Sequence, residues 1–260
     1  MVLNLVFFEI KLNRNPYRIL FTFRRTPLWF HKDYKKFVSL MGNDNTFPVR
    51  DNMPCLDDKG MDAGDTSPIY FPQDLYVAQK IFQNKPVKHV DVGSRVDGFV
   101  AHVASFRNIE LLDIRKMESF IQNVEFKQAD LMDSGTIPLD YCDSISSLHA
   151  LEHFGLGRYG DKLDPNGHKK GFENITRMLK SGGTFYFSVP MGVQRIDFNA
   201  HRVFSLSYLL DWVNKDFDIV SFAYISDRGV LYEDVVINEE LIRTSCGCRF
   251  GCAIFELRKK

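Results

Sequence analysis

The sequence predicts an α/β protein: a three-layer, Rossmann-like sandwich built on a mostly parallel, seven-stranded sheet with an antiparallel hairpin at one edge. Three observations predict it. Short apolar runs of strand character alternate with amphipathic helical stretches, the pattern that puts helices on both faces of a parallel sheet. One of these runs, His89-Val-Asp-Val-Gly-Ser-Arg-Val-Asp-Gly98, reads as strand, tight turn and helix start. The last two strands break the alternation, because the polar connection from Asp227 to Cys248 leaves little room for a long crossover helix.

In chain order, a helix over 73–83 precedes the strand at 87–92. Further strands are expected at 109–112, 124–127, 144–148 and 184–189, with helices over 98–106, 171–179 and 207–213. Strands at 219–225 and 249–257 form the antiparallel edge pair. Gly182 and Gly183, in Leu179-Lys-Ser-Gly-Gly183, are the glycine cap closing the helix before them. The chain of 260 residues, 45% hydrophobic, suffices for one domain over 66–260. Residues 1–65 are expected to be an extension packing on that core. Residues 2–12 read as a strand or amphipathic segment, and the stretch Asp57 to Asp65 as a polar loop.

Thirty-three basic residues balance thirty-three acidic ones, so the electrostatic footprint of a nucleic-acid binder is missing. Five cysteines, an odd number in a chain too large to need disulfide staples, point to a reducing compartment, the cytoplasm. No stretch approaches the roughly 20 apolar residues of a membrane span. Arg24, Arg25, Lys32, Lys35 and Lys36, among aromatics, leave peripheral membrane contact open.

In open α/β sheets, ligands sit beyond the carboxyl ends of the strands, at the turn into the next helix. Gly93 lets backbone approach such a ligand, and Asp91 can order the loop or meet a cationic amino group. Gly93 and Gly98 match the outer glycines of G-x-G-x-x-G, but Arg95 holds the middle place, which disfavours pyrophosphate and hence NAD. Twenty-two residues beyond Asp91, a strand ends in Asp113, close to the spacing expected of a carboxylate that binds ribose hydroxyls. Asp130 and Leu131 follow the next strand, where a carboxylate can accept from an adenine amino group and an aliphatic side chain can cover the ring.

His149, Glu152 and His153 leave the strand after that, where a reacting group would meet its partner. The same letters match an inverted zinc-protease motif, but that motif belongs on a long helix. Arg195, Asn199, His201 and Arg202 crowd a later strand exit and suit substrate contacts. Cys246, Cys248 and Cys252 lack a second ligand pair, so no metal is expected there.

The segments YFPQDLYVAQKI, HVDVGSRVDGFVAHVASF, LLDIR, SLHALEHFGLGRYGD, LKSGGTFYFSVPMG and FNAHRVFS together resemble the domain-of-unknown-function 268 family, a branch of the class I methyltransferase superfamily. The resemblance implies S-adenosyl-L-methionine as cofactor. Asp91 and Gly93 would border its methionine part, Asp113 the ribose, Asp130 and Leu131 the adenine, and His149 the reactive centre, with Ser94, Arg95 and Ile114 as further cofactor-binding candidates. It also implies O-methylation of a small-molecule or glycan acceptor in surface polysaccharide synthesis. His149, His153 and His201 are then the candidate bases, and Glu152, Arg195, Asn199 and Arg202 the substrate contacts. The superfamily's signature has three glycines where this chain keeps only Gly93, so a binding or regulatory protein without catalysis is the alternative.

Overall fold

The computed structural model describes residues 6–12, 19–43, 46–50, 54–61 and 69–260. Residues 2–5 of the expected amino-terminal strand and 62–65 of the expected polar loop lie outside them. The chain divides into two compact units, Met1–Asp65 and Thr66–Lys260. In the first, β1 (Val6–Leu12) and β2 (Ile19–Arg25) form an antiparallel ladder pairing Val6 with Arg25 and Leu12 with Ile19. Helix α1 (Leu28–Met41) follows, then a short turn at Asp58–Gly60.

The second unit opens with α2 (Tyr70–Asn84), which buries Tyr76, Val77 and Ile81 on one face. Then come β3 (His89–Val92), a π-helical turn at Val96–Val100 running into α3 (Ala101–Ala104), β4 (Ile109–Asp113), β5 (Val124–Gln128) and β6 (Cys142–Leu148). After α4 (Gly167–Met178) and β7 (Leu179–Met191), a small hairpin of β8 (Arg195–Asp197) and β9 (His201–Val203) precedes α5 (Leu206–Val213). The chain finishes with β10 (Phe217–Ile225), β11 (Leu231–Tyr232), α6 (Glu239–Thr244) and β12 (Gly251–Lys259).

The main sheet has the order β11-β10-β12-β7-β6-β3-β4-β5. Strands β3 to β7 run parallel, whereas β12 is antiparallel to both β7 and β10. The strand count departs from expectation. The sheet has eight strands, because a two-residue strand, β11, pairs with β10 across the turn at 226–230. The expected antiparallel pair stands at that side of the sheet, with β12 against β7, where its Gly251–Leu257 stretch is buried, and β10 outside it.

Central position explains composition. Every residue of β3 is buried, whereas edge strand β5 alternates between half-buried and exposed residues, as a strand with one solvated face must. Helix α4 ends without a glycine cap: Leu179 is already extended, and its N–H bonds Ile175 O. Gly182, with φ +73°, instead lets the chain turn within the lead-in to the paired part of β7.

The core on one face of the sheet is aromatic. Phe172 of α4 packs against Trp212 at 4.5 Å, Phe187 and Phe217 at 5.6 Å, and Phe185 at 5.7 Å. Phe172→Ala would leave a cavity that four rigid rings cannot collapse into. We expect a loss of about 3 to 5 kcal/mol in urea unfolding; a loss under about 1 kcal/mol would place this ring outside the cooperative core.

Candidate active site

Asp91, at the end of central strand β3, is fully buried. Its Oδ1 accepts from Ser94 Oγ at 2.8 Å and from Ser146 Oγ of β6, and its Oδ2 accepts from Ser94 N at 3.0 Å. Burial pushes this carboxyl up to about 7, against the lowering effect of those donors. The side chain therefore ties the β3 turn to β6 from below. Gly93 follows with φ +74°, its N–H bonded to Leu112 O at 2.8 Å, and a Cβ there would come within 2.9 Å of the Ala150 side chain. No other residue fits that corner without displacing β6's exit.

Above this turn lies a cavity of about 300 Å³, at the lower end of the range for small-molecule sites. The carboxyl ends of β3, β4 and β6 form its floor. Gly93, Ser94, Arg95, Asp113, Ile114, Asp130, Leu131, His149 and His153 all line it. Asp91 and Glu152 do not; they are fully buried beneath it.

The charges around the cavity are largely spoken for. Arg95 and Asp97 pair with each other in solvent at 2.6 Å, so the two residues replacing signature glycines leave the floor of the site open. Asp113 accepts three hydrogen bonds from Arg115, from its N at 2.8 Å, its Nε at 2.9 Å and one terminal nitrogen at 2.6 Å. Arg115 in turn stacks over Tyr159 at 4.6 Å. Asp130 Oδ1 accepts from Met132 N at 2.9 Å, which shapes the loop after β5.

The two histidines of the β6 exit differ in kind. His149 sits at φ +52°, a left-handed conformation uncommon for a side chain of this size, with Nδ1 2.9 Å from Glu152 Oε1 and its ring edge-on to Tyr70. Burial opposes its charge, but the Cys252 sulfur and the Glu152 carboxylate outweigh that and hold it well above the usual imidazole range. Burial likewise works against the Glu152 charge, and His149 overcomes it to keep that carboxyl below its usual range. The two groups are thus coupled in the interior, joined through Nδ1 and Oε1.

His153, by contrast, is held below the usual range, chiefly by burial. Its Nδ1 faces Ala200 O at 2.6 Å. A carbonyl only accepts, so Nδ1 carries the proton and Nε2 keeps its lone pair. Arg158 donates to the same carbonyl at 2.9 Å, and Tyr159 stands edge-on to the His153 ring.

The residues expected at the β7 exit lie elsewhere. His201 pairs with Asp197 at 3.3 Å and Arg195 with the same carboxylate at 3.0 Å, all on the β8–β9 hairpin, and neither lines the cavity. Asn199 is exposed at its tip. Arg202 turns inward instead: its guanidinium donates to Phe154 O at 2.7 Å, Glu152 O at 3.2 Å and Pro165 O at 3.3 Å, satisfying loop carbonyls that would otherwise be buried alone. Only the hairpin's Ala200 carbonyl reaches the cavity wall, through His153 and Arg158.

Sequence reasoning missed the wall supplied by α2. Tyr70, Gln73 and Asp74 line the cavity, and burial raises the Asp74 carboxyl above its ordinary range. The signal was the helix's pair of buried polar residues, since Gln73 and Asp74 fall on its apolar face. Gln73 accepts from Ser188 Oγ at 2.6 Å and from Cys252 Sγ at 3.3 Å. Cys252 is therefore a core thiol of β12. Burial pushes the Cys246 and Cys248 thiols up to about 12 and about 11. Among the described residues, no three His, Cys, Asp or Glu side chains are grouped to hold a metal ion.

Residues 96–230, just over half of the chain, match the family described as "Caenorhabditis protein of unknown function, DUF268". The chain belongs to the DUF268 family. No curated protein matches it significantly. Among solved structures, this DUF268 chain resembles the [4+2]-cyclase SpnF, with a TM-score of 0.52 and 15% identity over 72% of this chain and 80% of that one. It also resembles the Burkholderia thailandensis 1,6-didemethyltoxoflavin-N1-methyltransferase, solved with bound 1,6-didemethyltoxoflavin and S-adenosylhomocysteine. There the TM-score is 0.51 and the identity 13%, over 75% of this chain and 80% of that one. At such identities the likeness establishes the fold, that of class I methyltransferases.

Because the folded Asp91 carboxyl titrates near 7 rather than at its ordinary 3.8, the fold binds a proton that the unfolded chain has released. Its contribution to stability is full below pH about 4 and is lost as the pH rises to about 7. Thermal melts of wild type and Asp91→Asn should therefore differ by an amount that changes across this window. Parallel curves would show that Asp91 is ionised throughout.

Proposed function

We propose that this DUF268 protein binds S-adenosyl-L-methionine in the cavity and methylates a hydroxyl of a small polar acceptor, such as a sugar or glycan precursor. The observation that carries the reading is the cavity's position, at the carboxyl ends of β3, β4 and β6 between the Gly93 turn and Asp113. The residues fit the cofactor. Val92, Leu112, Leu131 and Leu148 supply apolar wall, and Gly93 supplies bare backbone. An ionised carboxylate offers roughly four lone-pair sites, so Asp113, with three taken by Arg115, keeps one for a ribose hydroxyl.

The cofactor, when bound, supplies an electrophilic methyl group on a sulfonium centre. The chain's own part is to hold the acceptor in line and remove its proton. His153 suits that task better than His149, because burial holds it below the usual imidazole range and its Nε2, 3.7 Å from Glu152 Oε1, keeps the lone pair, whereas His149 is bound to Glu152 through Nδ1. His149 instead belongs to the support: with Glu152 it fixes the turn on which His153 stands. The glycan acceptor itself rests on the family resemblance and on the polar rim of Arg115, Arg158, Tyr159 and Asp161.

Binding without catalysis is the second reading. The departures at Arg95 and Asp97 and the occupation of Asp113 by Arg115 favour it.

His153→Ala should lower single-turnover methyl transfer by about 10²- to 10⁴-fold while S-adenosylhomocysteine affinity changes little. His149→Ala should instead destabilise the fold by about 3 to 5 kcal/mol, since it strands the Glu152 charge in the interior. Full turnover in His153→Ala would remove it as the base. Cofactor binding with no methylated product, in mass spectra of sugars and glycan intermediates, would favour the binding protein.

A further inference from the structure

The strongest unassigned feature lies in the first unit. Helix α1 has no buried residue, although it carries Trp29, Phe30, Phe37, Leu40 and Met41. At about 100° per residue these fall on one side of the helix, while Lys32, Lys35 and Lys36 fall on the other. Phe37 and Leu40 are 58% and 75% exposed, too much apolar surface for an ordinary solvated helix face.

The charge on α1 is one-sided as well. Its single acid, Asp33, is paired with Lys59 at 2.8 Å, and the same ammonium lies over the Trp29 ring at 4.2 Å. None of the three helix lysines has a carboxylate within ion-pair distance among the described residues. In sequence, Arg24 and Arg25 stand directly before the helix. No helix of the described residues is long and apolar enough to cross a membrane.

We propose that α1 is an interfacial helix that binds an anionic lipid surface. An aromatic apolar side opposite a lysine side, on a helix of about 21 Å, is the arrangement that lies in the plane of a bilayer interface. Rings and Leu40 enter the headgroup boundary, and the lysines face anionic headgroups. A second copy of the chain would cover the apolar side but leave the lysine cluster without a counter-charge, so a lipid surface accounts for both sides. This inference does not depend on the enzymatic reading.

Co-sedimentation of the full chain with vesicles tests it. Binding is expected to mixed phosphatidylserine–phosphatidylcholine vesicles and to fall steeply on phosphatidylcholine alone. Replacing Lys32, Lys35 and Lys36 by glutamine together should weaken binding on the order of a hundredfold, at roughly one kcal/mol per lysine. Phe37→Glu should abolish it with the melting temperature little changed, since more than half of the ring is exposed. Wild type that ignores anionic vesicles would overturn the proposal, as would binding that survives both variants. So would a concentration-dependent dimer that Phe37→Glu dissolves without any vesicle binding by the wild type.

Discussion

A single buried carboxylate organises the site. Asp91 ends the central strand, where it has no access to water, and its only compensation comes from Ser94 ahead of it in the turn and Ser146 on the neighbouring strand. Leaving those acceptors unsatisfied would cost a few kcal/mol, so the turn cannot relax without breaking the bond to β6. That holds Gly93 in its left-handed conformation against Ala150, and the Gly93 backbone becomes a wall of the cavity. The same strand pair then places the β6 exit, with its two histidines, opposite the turn.

The second constraint is the burial of charge beside that exit. His149 and Glu152 are bound to each other at the base of the cavity, and Arg202 binds the carbonyls of Glu152, Phe154 and Pro165 from the hairpin side. Together they fix a loop that has little regular structure of its own. On this fixed loop His153 has Nδ1 committed to Ala200 O and Nε2 3.7 Å from Glu152 Oε1.

Much of this was legible in the sequence, because parallel strands buried on both faces leave continuous apolar runs and end in ligand-facing residues. The spacing from Asp91 to Asp113 correctly put a carboxylate at the mouth of β4. It could not show that Arg115, two residues on, would fold back onto it, since that depends on a loop conformation. Arg195, His201 and Arg202 stand just past a strand end, which in sequence looks like a site. The β8–β9 hairpin carries the first two away from the cavity and turns Arg202 inward to unsatisfied carbonyls. Gln73 and Asp74 escaped notice for the opposite reason: their helix precedes the first parallel strand, and only tertiary packing brings it over the cavity.

The fold alone does not determine chemistry, as the pairing of a cyclase and a methyltransferase among its structural relatives illustrates. An adenosyl sulfonium cofactor, rather than a dinucleotide, is expected in the cavity above Gly93. Isothermal titration of the full chain with S-adenosylhomocysteine and, separately, with NAD tests it most directly. One S-adenosylhomocysteine site per chain is expected, lost when Gly93→Val closes the turn, with no NAD binding. Saturable NAD binding with no heat from S-adenosylhomocysteine would contradict it.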